Sequence, residues 1–152
     1  MPINYTGMAL AGIYAAQKNP RVLEISNILL SRDTANMQTE PLFMKGVFYA
    51  EMKQYDSAVS QFDEVIRRDW KMTDAYIEKG IIMYERKQYD EALKIFNMAV
   101  TVSNTDADGY YWLGRCYEAM GNIQEAITNY GRAVSLDNTF TEAKSALRRL
   151  NS

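Results

Sequence analysis

One segment of the sequence, residues 104–109, has the residue types and spacing of a metal site. It reads NTDADG, and acidic side chains at alternate positions before a glycine are typical of the first half of a calcium-binding loop. A complete loop requires a bidentate Glu at its twelfth position, where this sequence has Arg115, and an Asp instead of Asn at its first position. We therefore predict that Asp106 and Asp108 form the turn and cap before a helix, and that no metal is bound.

Catalytic chemistry has few candidate residues. The sequence contains no histidine, which is the commonest general base and a frequent metal ligand. Its single cysteine, Cys116, lies close to Gly114 and Tyr117 on a face that we expect to be buried, and no histidine is present to activate it. The sequence therefore predicts a structural thiol, no enzymatic activity and no cofactor.

The charges of the chain are nearly balanced. Its 152 residues include 17 Lys and Arg against 19 Asp and Glu, for a net charge of −2. This balance gives no electrostatic reason to bind nucleic acid or an anionic membrane. We interpret the pairs Arg67-Arg68 and Arg148-Arg149 as complements to the helix dipole at helix C-terminal ends.

Hydropathy gives no membrane span, because no stretch reaches the 18 or so unbroken apolar residues that one requires. Residues 8–16 are apolar enough for the core of a signal peptide, but residues 1–7 contain no Lys or Arg. We therefore expect cytoplasmic residence for the chain as it stands. A periplasmic or lipid-anchored parent is the alternative if a leader was removed.

Glycine recurs in the chain with a fixed period. Gly12, Gly46, Gly80 and Gly114 are spaced 34 residues apart without a gap. Other residues recur at fixed offsets from these glycines, and in the last unit they are Tyr110, Leu113, Tyr117, Ala126, Tyr130 and Ala133. A fixed period of this length is typical of stacked structural repeats.

This order of aromatic, Leu-Gly, Tyr, Ala and Phe/Tyr positions resembles the tetratricopeptide repeat (TPR), a helix-turn-helix unit. The resemblance is strong over residues 39–138 and weak before them. It implies an all-α fold in one domain, a right-handed α-solenoid of about four hairpins followed by a C-terminal capping helix. The expected units are residues 5–38, 39–72, 73–106 and 107–140, with the capping helix at residues 141–150.

We expect the two helices of each unit, A and B, to meet at small residues. The predicted contacts between glycine on helix A and alanine on helix B are Gly46 with Ala58, Gly80 with Ala92, and Gly114 with Ala126. The aromatic residues of helix B are expected to fill the gap between neighbouring units, and these are Phe62, Phe96 and Tyr130.

Polar residues in the turns predict where helices begin. The same four residues, KQYD, occupy positions 53–56 and 87–90, and we expect Asp56 and Asp90 to cap the helices that follow. Asn122 is the corresponding cap in the last unit, and Thr39 caps the helix that contains Gly46.

The TPR resemblance implies that the inner faces of the A helices form a concave, non-catalytic peptide-binding surface. The predicted groove residues in the first half of the chain are Glu40, Phe43, Val47, Asp74 and Ile77. Those in the second half are Ile81, Tyr84, Asp108, Tyr111 and Arg115. Apolar and aromatic positions form its floor and acidic positions its edges, so the expected partner is a protein or peptide with an apolar segment and basic flanks.

The sequence also bears on two other kinds of partner, a chaperone tail and a second copy of the chain. TPR co-chaperones clamp a C-terminal carboxylate with Lys, Asn and Arg, but the matching positions here are Ala9, Ile13, Met44, Asp74 and Glu78. No position matches and two have the wrong charge, so a chaperone tail is not expected in that clamp. The alternative function is a structural module that uses the same apolar face, or the N-terminal end, for homo-oligomerisation, including a dimer.

Overall fold

The chain is all-α wherever the computed structural model describes it, from residue 14 to residue 152. Residues 14–16 are helical, and eight helices follow: α1 (Arg21–Ser31), α2 (Glu40–Glu51), α3 (Tyr55–Arg68), α4 (Thr73–Glu85), α5 (Tyr89–Val102), α6 (Ala107–Ala119), α7 (Ile123–Leu136) and α8 (Thr141–Leu150). The predicted fold class is confirmed. The expectations for Ala9, Gly12 and Ile13 lie outside the described residues.

The chain divides into two compact units, which are larger than the predicted repeats. Unit 1 is Met1–Glu78 and unit 2 is Lys79–Ser152, with the boundary inside α4. In unit 1, α2 packs against α1 and α3. In unit 2, α6 packs against α5 and α7, and α7 packs against α8. Each hydrophobic core contains fully buried small residues beside large ones: Ala15 and Val22 with Phe48 in unit 1, and Ala126 with Tyr130 in unit 2.

The phased glycines make room for aromatic rings of the B helices, which the predicted glycine–alanine contacts did not include. A Cβ on Gly46 would lie 2.6 Å from Cε1 of Phe62, and a Cβ on Gly114 would lie 2.7 Å from the ring of Tyr130. The nearest atoms are those of the aromatic residue of helix B, because its ring lies against the bare backbone of helix A. The alanines at the predicted positions, such as Ala58, are nevertheless fully buried.

The starts of the B helices α3 and α5 differ from the prediction. Gln54 and Gln88 occupy the N-cap positions of α3 and α5 without a side-chain cap, while Asp56 and Asp90 lie inside the first turn. Acidic side chains in a first turn still favour the helix, because they face its positive dipole end. The expectation that Asp56 and Asp90 are the caps is therefore wrong.

Other caps agree better with the sequence. Thr39 and Asn122 occupy the N-cap positions of α2 and α7, although neither side chain caps the helix by a hydrogen bond. Asp106 caps α6, because its carboxylate accepts hydrogen bonds from the backbone N–H groups of Asp108 and Gly109. The predicted cap is thus confirmed for Asp106, whose carboxylate is bonded to its own helix, whereas Asp108 lies inside the first turn of α6.

In each of the last three repeats, helix A is followed by a residue in the left-handed conformation. This residue is Lys53 after α2 (φ 59°), Lys87 after α4 (φ 60°) and Gly121 after α6 (φ 81°). In all three turns the next residue donates its backbone N–H back to helix A, as in the bond from Gln54 to the Tyr49 carbonyl oxygen. A left-handed residue costs a lysine more than a glycine, because lysine has a Cβ.

The predicted amphipathic face of α8 is also observed. Ala143 and Ala146 are buried, Leu147 and Leu150 are half-buried, and Arg148 is exposed. Cys116, on α6, is fully buried, and burial raises the pKa of its thiol to about 12. The prediction of a buried structural thiol is confirmed.

Candidate functional site

The predicted groove residues of unit 1 differ in exposure. Glu40 and Asp74 are exposed, and Phe43 and Val47 are half-buried. Phe43 packs edge to face against the Phe62 ring, with centroids 5.5 Å apart. Ile77 is only 8% exposed, so it belongs to the core and its assignment to an open binding surface is wrong.

In unit 2 the predicted residues fall into two groups. Tyr84, Tyr111 and Arg115 line one pocket of about 700 Å³. Ile81 is half-buried and Asp108 is exposed, and neither lines this pocket. The volume lies within the range of sites that bury a ligand of peptide side-chain size or larger.

The opposite wall of this pocket comes from α8, which sequence reasoning treated only as a cap. Its lining residues include Glu142, Ser145 and Arg149. These positions lie 34 residues after Asp108, Tyr111 and Arg115, so the repeat period continues into α8. The 34-residue period could have indicated these residues, but it is hard to recognise in α8 because Arg148 occupies the position of the next phased glycine.

Arg115 lies among three aromatic rings. Its guanidinium carbon is 5.0 Å from the ring centroids of both Tyr84 and Trp112, and 5.8 Å from that of Tyr111. The rings also contact one another, since Tyr84 and Tyr111 both meet Trp112 edge to face. These cation–π contacts favour one fixed position for the arginine side chain.

Hydrogen bonds hold Arg115 in the same place. Its Nη1 donates to the Tyr111 hydroxyl (3.3 Å) and its Nη2 to the Tyr84 hydroxyl (3.2 Å). Burial alone would lower the pKa of Arg115, but these hydrogen bonds outweigh it and leave the pKa above its ordinary value. Arg115 therefore remains a fixed positive charge in the pocket.

Glu118 is the most heavily bonded acidic residue of the pocket. Arg149 donates to both of its carboxylate oxygens, at 2.6 and 3.0 Å, and the Tyr130 hydroxyl donates to Oε1 at 2.9 Å. The hydrogen bond from Arg149 lowers the pKa of Glu118, and that from Tyr130 lowers it further, against the effect of burial. Burial raises the pKa of Tyr130, and its bond to Glu118 raises it further.

Unit 1 contains a separate acidic group formed by Glu51 on α2 and by Asp74 and Glu78 on α4. Burial raises the pKa of Glu78 above its ordinary value, and the negative charges of Asp74 and Glu51 raise it further. Asp74 and Glu51 therefore repel the Glu78 carboxylate, and a cation placed beside Glu78 would relieve that repulsion.

Neither a candidate metal site nor a candidate membrane-spanning helix is found between residues 14 and 152. No group of three His, Cys, Asp or Glu residues there has the geometry to hold a metal ion. Over the same residues, no helix combines the length and the apolar character that crossing a bilayer demands.

Solved structures similar to this chain are helical repeat domains. MamA 41-end from Desulfovibrio magneticus RS-1 is 27% identical, with a TM-score of 0.70 over 95% of this chain and 84% of that chain. The Arabidopsis OM64 TPR domain is 23% identical, with a TM-score of 0.72 over 76% of this chain and 97% of that chain. The first TPR of Spaghetti (RPAP3), bound to the HSP90 peptide SRMEEVD, is 22% identical, with a TM-score of 0.72 over 74% and 92% of the two chains. No curated protein sequence gives a significant match.

Family models match most of the chain. Tetratricopeptide repeat models match residues 39–69 and 107–140, and a TPR repeat model matches residues 74–121. These ranges coincide with the helix hairpins in which Gly46, Gly80 and Gly114 accommodate an aromatic ring. The chain therefore belongs to the tetratricopeptide repeat family.

Proposed function

We propose that this chain is a non-catalytic protein-interaction module that binds a segment of a partner protein in the pocket of unit 2. The observation that carries the proposal is the pocket itself, about 700 Å³ between α6 and α8, lined by aromatic and charged side chains at inner-face positions. TPR neighbours support an interaction role, since the first TPR of Spaghetti (RPAP3) is bound to an HSP90 peptide.

The pocket walls are held rigid before any ligand arrives. Tyr84, Tyr111 and Arg115 are joined by hydrogen bonds and ring contacts, and Glu118 is held by Arg149 and Tyr130. A partner segment therefore meets a preorganised surface, and little ordering cost falls on this side of the complex.

The partner that we propose has an apolar or aromatic side chain flanked by a basic residue. The apolar side chain would pack on the faces of Tyr84 and Tyr111 in unit 2. The basic residue would lie beside Glu142, an exposed carboxylate that lines the same pocket. Glu40, Phe43, Val47, Ile81 and Asp108 remain predicted binding residues.

Capture of a chaperone tail is not part of the proposal. The TPR clamp for a C-terminal carboxylate needs cationic or amide side chains, and the described residues at those positions are Met44, Asp74 and Glu78. Asp74 is exposed and Glu78 is only partly so, and both would repel an acidic peptide end.

The test selects ligands from a random peptide library displayed on phage and measures their affinities by calorimetry. Ser145 is exposed on the pocket wall, so Ser145→Trp fills the pocket without disturbing the core. We expect it to weaken binding by at least about tenfold. Lys144→Trp is the matched control, because Lys144 is exposed on the same helix and does not line the pocket.

Selected peptides that bind wild type and Ser145→Trp equally well would contradict the proposed site. Light scattering on the same proteins examines self-association. A wild-type dimer that becomes a monomer in Ser145→Trp would assign the pocket to homo-oligomerisation instead of peptide binding.

A further inference from the structure

Arg115 is a half-buried cation without an ion-pair partner among residues 14–152. Its hydrogen bonds go to the hydroxyls of Tyr84 and Tyr111, and its other close contacts are aromatic faces. Partly buried charges in proteins are usually paired, because the loss of water must be compensated. Arg115 therefore differs from Arg68 and Arg149, which both contact carboxylates.

The Glu118 carboxylate of the pocket is already engaged. Oε1 of Glu118 accepts from both Tyr130 and Arg149, and Oε2 accepts from Arg149. Glu118 interacts with Arg115 only at longer range. Glu142, the other acidic lining residue, is exposed. The pocket thus contains one internally compensated pair, Glu118 with Arg149, and one cation that is not compensated by contact.

The geometry of Arg115 suits a planar anion. A guanidinium has five N–H donors in a fixed plane, and two of the five are used by tyrosine hydroxyls. The rings of Tyr84, Tyr111 and Trp112 hold that plane in place. A carboxylate can accept two parallel hydrogen bonds from such a fork, which a point cation such as lysine cannot offer.

We infer that Arg115 receives a carboxylate of the bound segment, beside the apolar side chain that packs on Tyr84 and Tyr111. The inference rests on the proposed function and adds an acidic anchor to it. The segment would then carry an acidic group next to an apolar one, with the basic residue elsewhere along its length.

The test titrates the full chain with N-acetyl-phenylalanine, which has a carboxylate beside an aromatic ring, and separately with its uncharged amide. The indole N–H resonance of Trp112 reports the site by NMR, because its ring lies against Arg115. Wild type is expected to bind the acid about tenfold more tightly than the amide, as for a hydrogen bond between charged groups.

Variants assign that preference to a residue. Arg115→Gln should reduce it to about one, while Arg132→Gln should leave it unchanged. Arg132 is a matched control, because it lies 4.9 Å from the Tyr110 ring in the same unit, is exposed and does not line the pocket. A preference that survives Arg115→Gln would overturn the inference, and so would equal binding of acid and amide by wild type, a comparison that needs no variant.

The outcomes also separate the two proposals. If both probes shift the Trp112 resonance with equal affinity, the pocket stands and the acidic anchor fails. If neither probe shifts it, both proposals fail. A second pair, N-acetyl-aspartyl-phenylalaninamide and its asparaginyl counterpart, distinguishes the source of the carboxylate. A preference in this pair indicates an internal acidic residue, and a preference confined to the first pair indicates a chain end.

Discussion

Arg68 reaches back along unit 1 to Asp33, placing its Nη1 3.4 Å from Oδ2 of that carboxylate and 2.9 Å from the carbonyl oxygen of Gln38. Both side chains are nearly buried, with 12% and 6% exposed. The Asp33 carboxylate also accepts the backbone N–H groups of Met37 and Gln38. This network fixes the connection between α1 and α2 onto the end of α3.

Replacing Arg68 should destabilise unit 1. Arg68→Met leaves the Asp33 carboxylate buried without its cation, and we expect a loss of about 3 kcal/mol in the free energy of unfolding. Arg67→Met is the control, because Arg67 is exposed and pairs only with Glu64. Urea denaturation of both variants measures the difference, and equal midpoints would show that the Asp33 network contributes nothing.

Gly80 should not tolerate a methyl group. Its Cβ would lie 2.5 Å from Cε1 of Phe96, and that ring is fully buried and stacked on Trp112, so it cannot move aside. Gly80→Ala should cost about 1–3 kcal/mol through overpacking. Gly131→Ala should instead stabilise by up to about 1 kcal/mol, because a Cβ there meets nothing within 4 Å in the middle of α7.

Thermal unfolding of these two alanine variants gives the comparison directly. Phe96→Leu combined with Gly80→Ala should lose less stability than the sum of the single changes, since the smaller side chain makes room. If Gly80→Ala were as stable as wild type, the glycine–aromatic contact would not be a steric requirement.

Replacing a lysine in the left-handed conformation by glycine should increase the stability of the fold. At Lys87, with φ 60°, glycine removes the Cβ strain but adds freedom to the unfolded chain, so we expect a net gain of about 0.5 kcal/mol. The reverse change, Gly121→Ala at φ 81°, should destabilise by about 1 kcal/mol. Chemical denaturation at pH 7 measures both, and a destabilised Lys87→Gly would indicate that the lysine side chain makes a contact worth more than the strain.

The Glu118–Arg149 ion pair should make unit 2 sensitive to acid. The folded-state pKa of Glu118 is lowered, chiefly by Arg149, from an ordinary value of 4.5. A depressed carboxyl pKa contributes stability that is complete above the unfolded value and is lost as pH falls through the folded value. Wild type should therefore exceed Arg149→Gln in urea midpoint at pH 7, and the gap should narrow toward pH 3. A gap that does not change with pH would assign the effect to packing.

Sequence reasoning was most reliable where local spacing determines structure. The period of Gly46, Gly80 and Gly114 predicted the hairpins, because helix length and turn length are local properties. It did not predict the aromatic ring that lies against each glycine, since a repeat pattern shows which positions recur but not which side chains touch. It also assigned Arg68 to a helix dipole, because nothing in the sequence links it to Asp33, 35 residues away.

The candidate pocket shows the same limit. Tyr84, Tyr111 and Arg115 were predicted from the inner-face positions of the A helices, and the structure brings them together. Ser145 and Arg149 were missed, because α8 has no phased glycine and reads as an isolated amphipathic helix. Ile77 was placed on the surface because its position was taken from a family pattern, which carries no information on burial in this chain.

The interlocking of each glycine with a ring sixteen residues further along limits how the chain can vary in length. A residue inserted between Gly46 and Phe62 would rotate the ring away from its slot and leave both helices mispacked. A residue inserted in the link between α3 and α4 would leave each slot filled. Natural or engineered changes of length should therefore collect between hairpins, and whole hairpins should be exchangeable as cassettes.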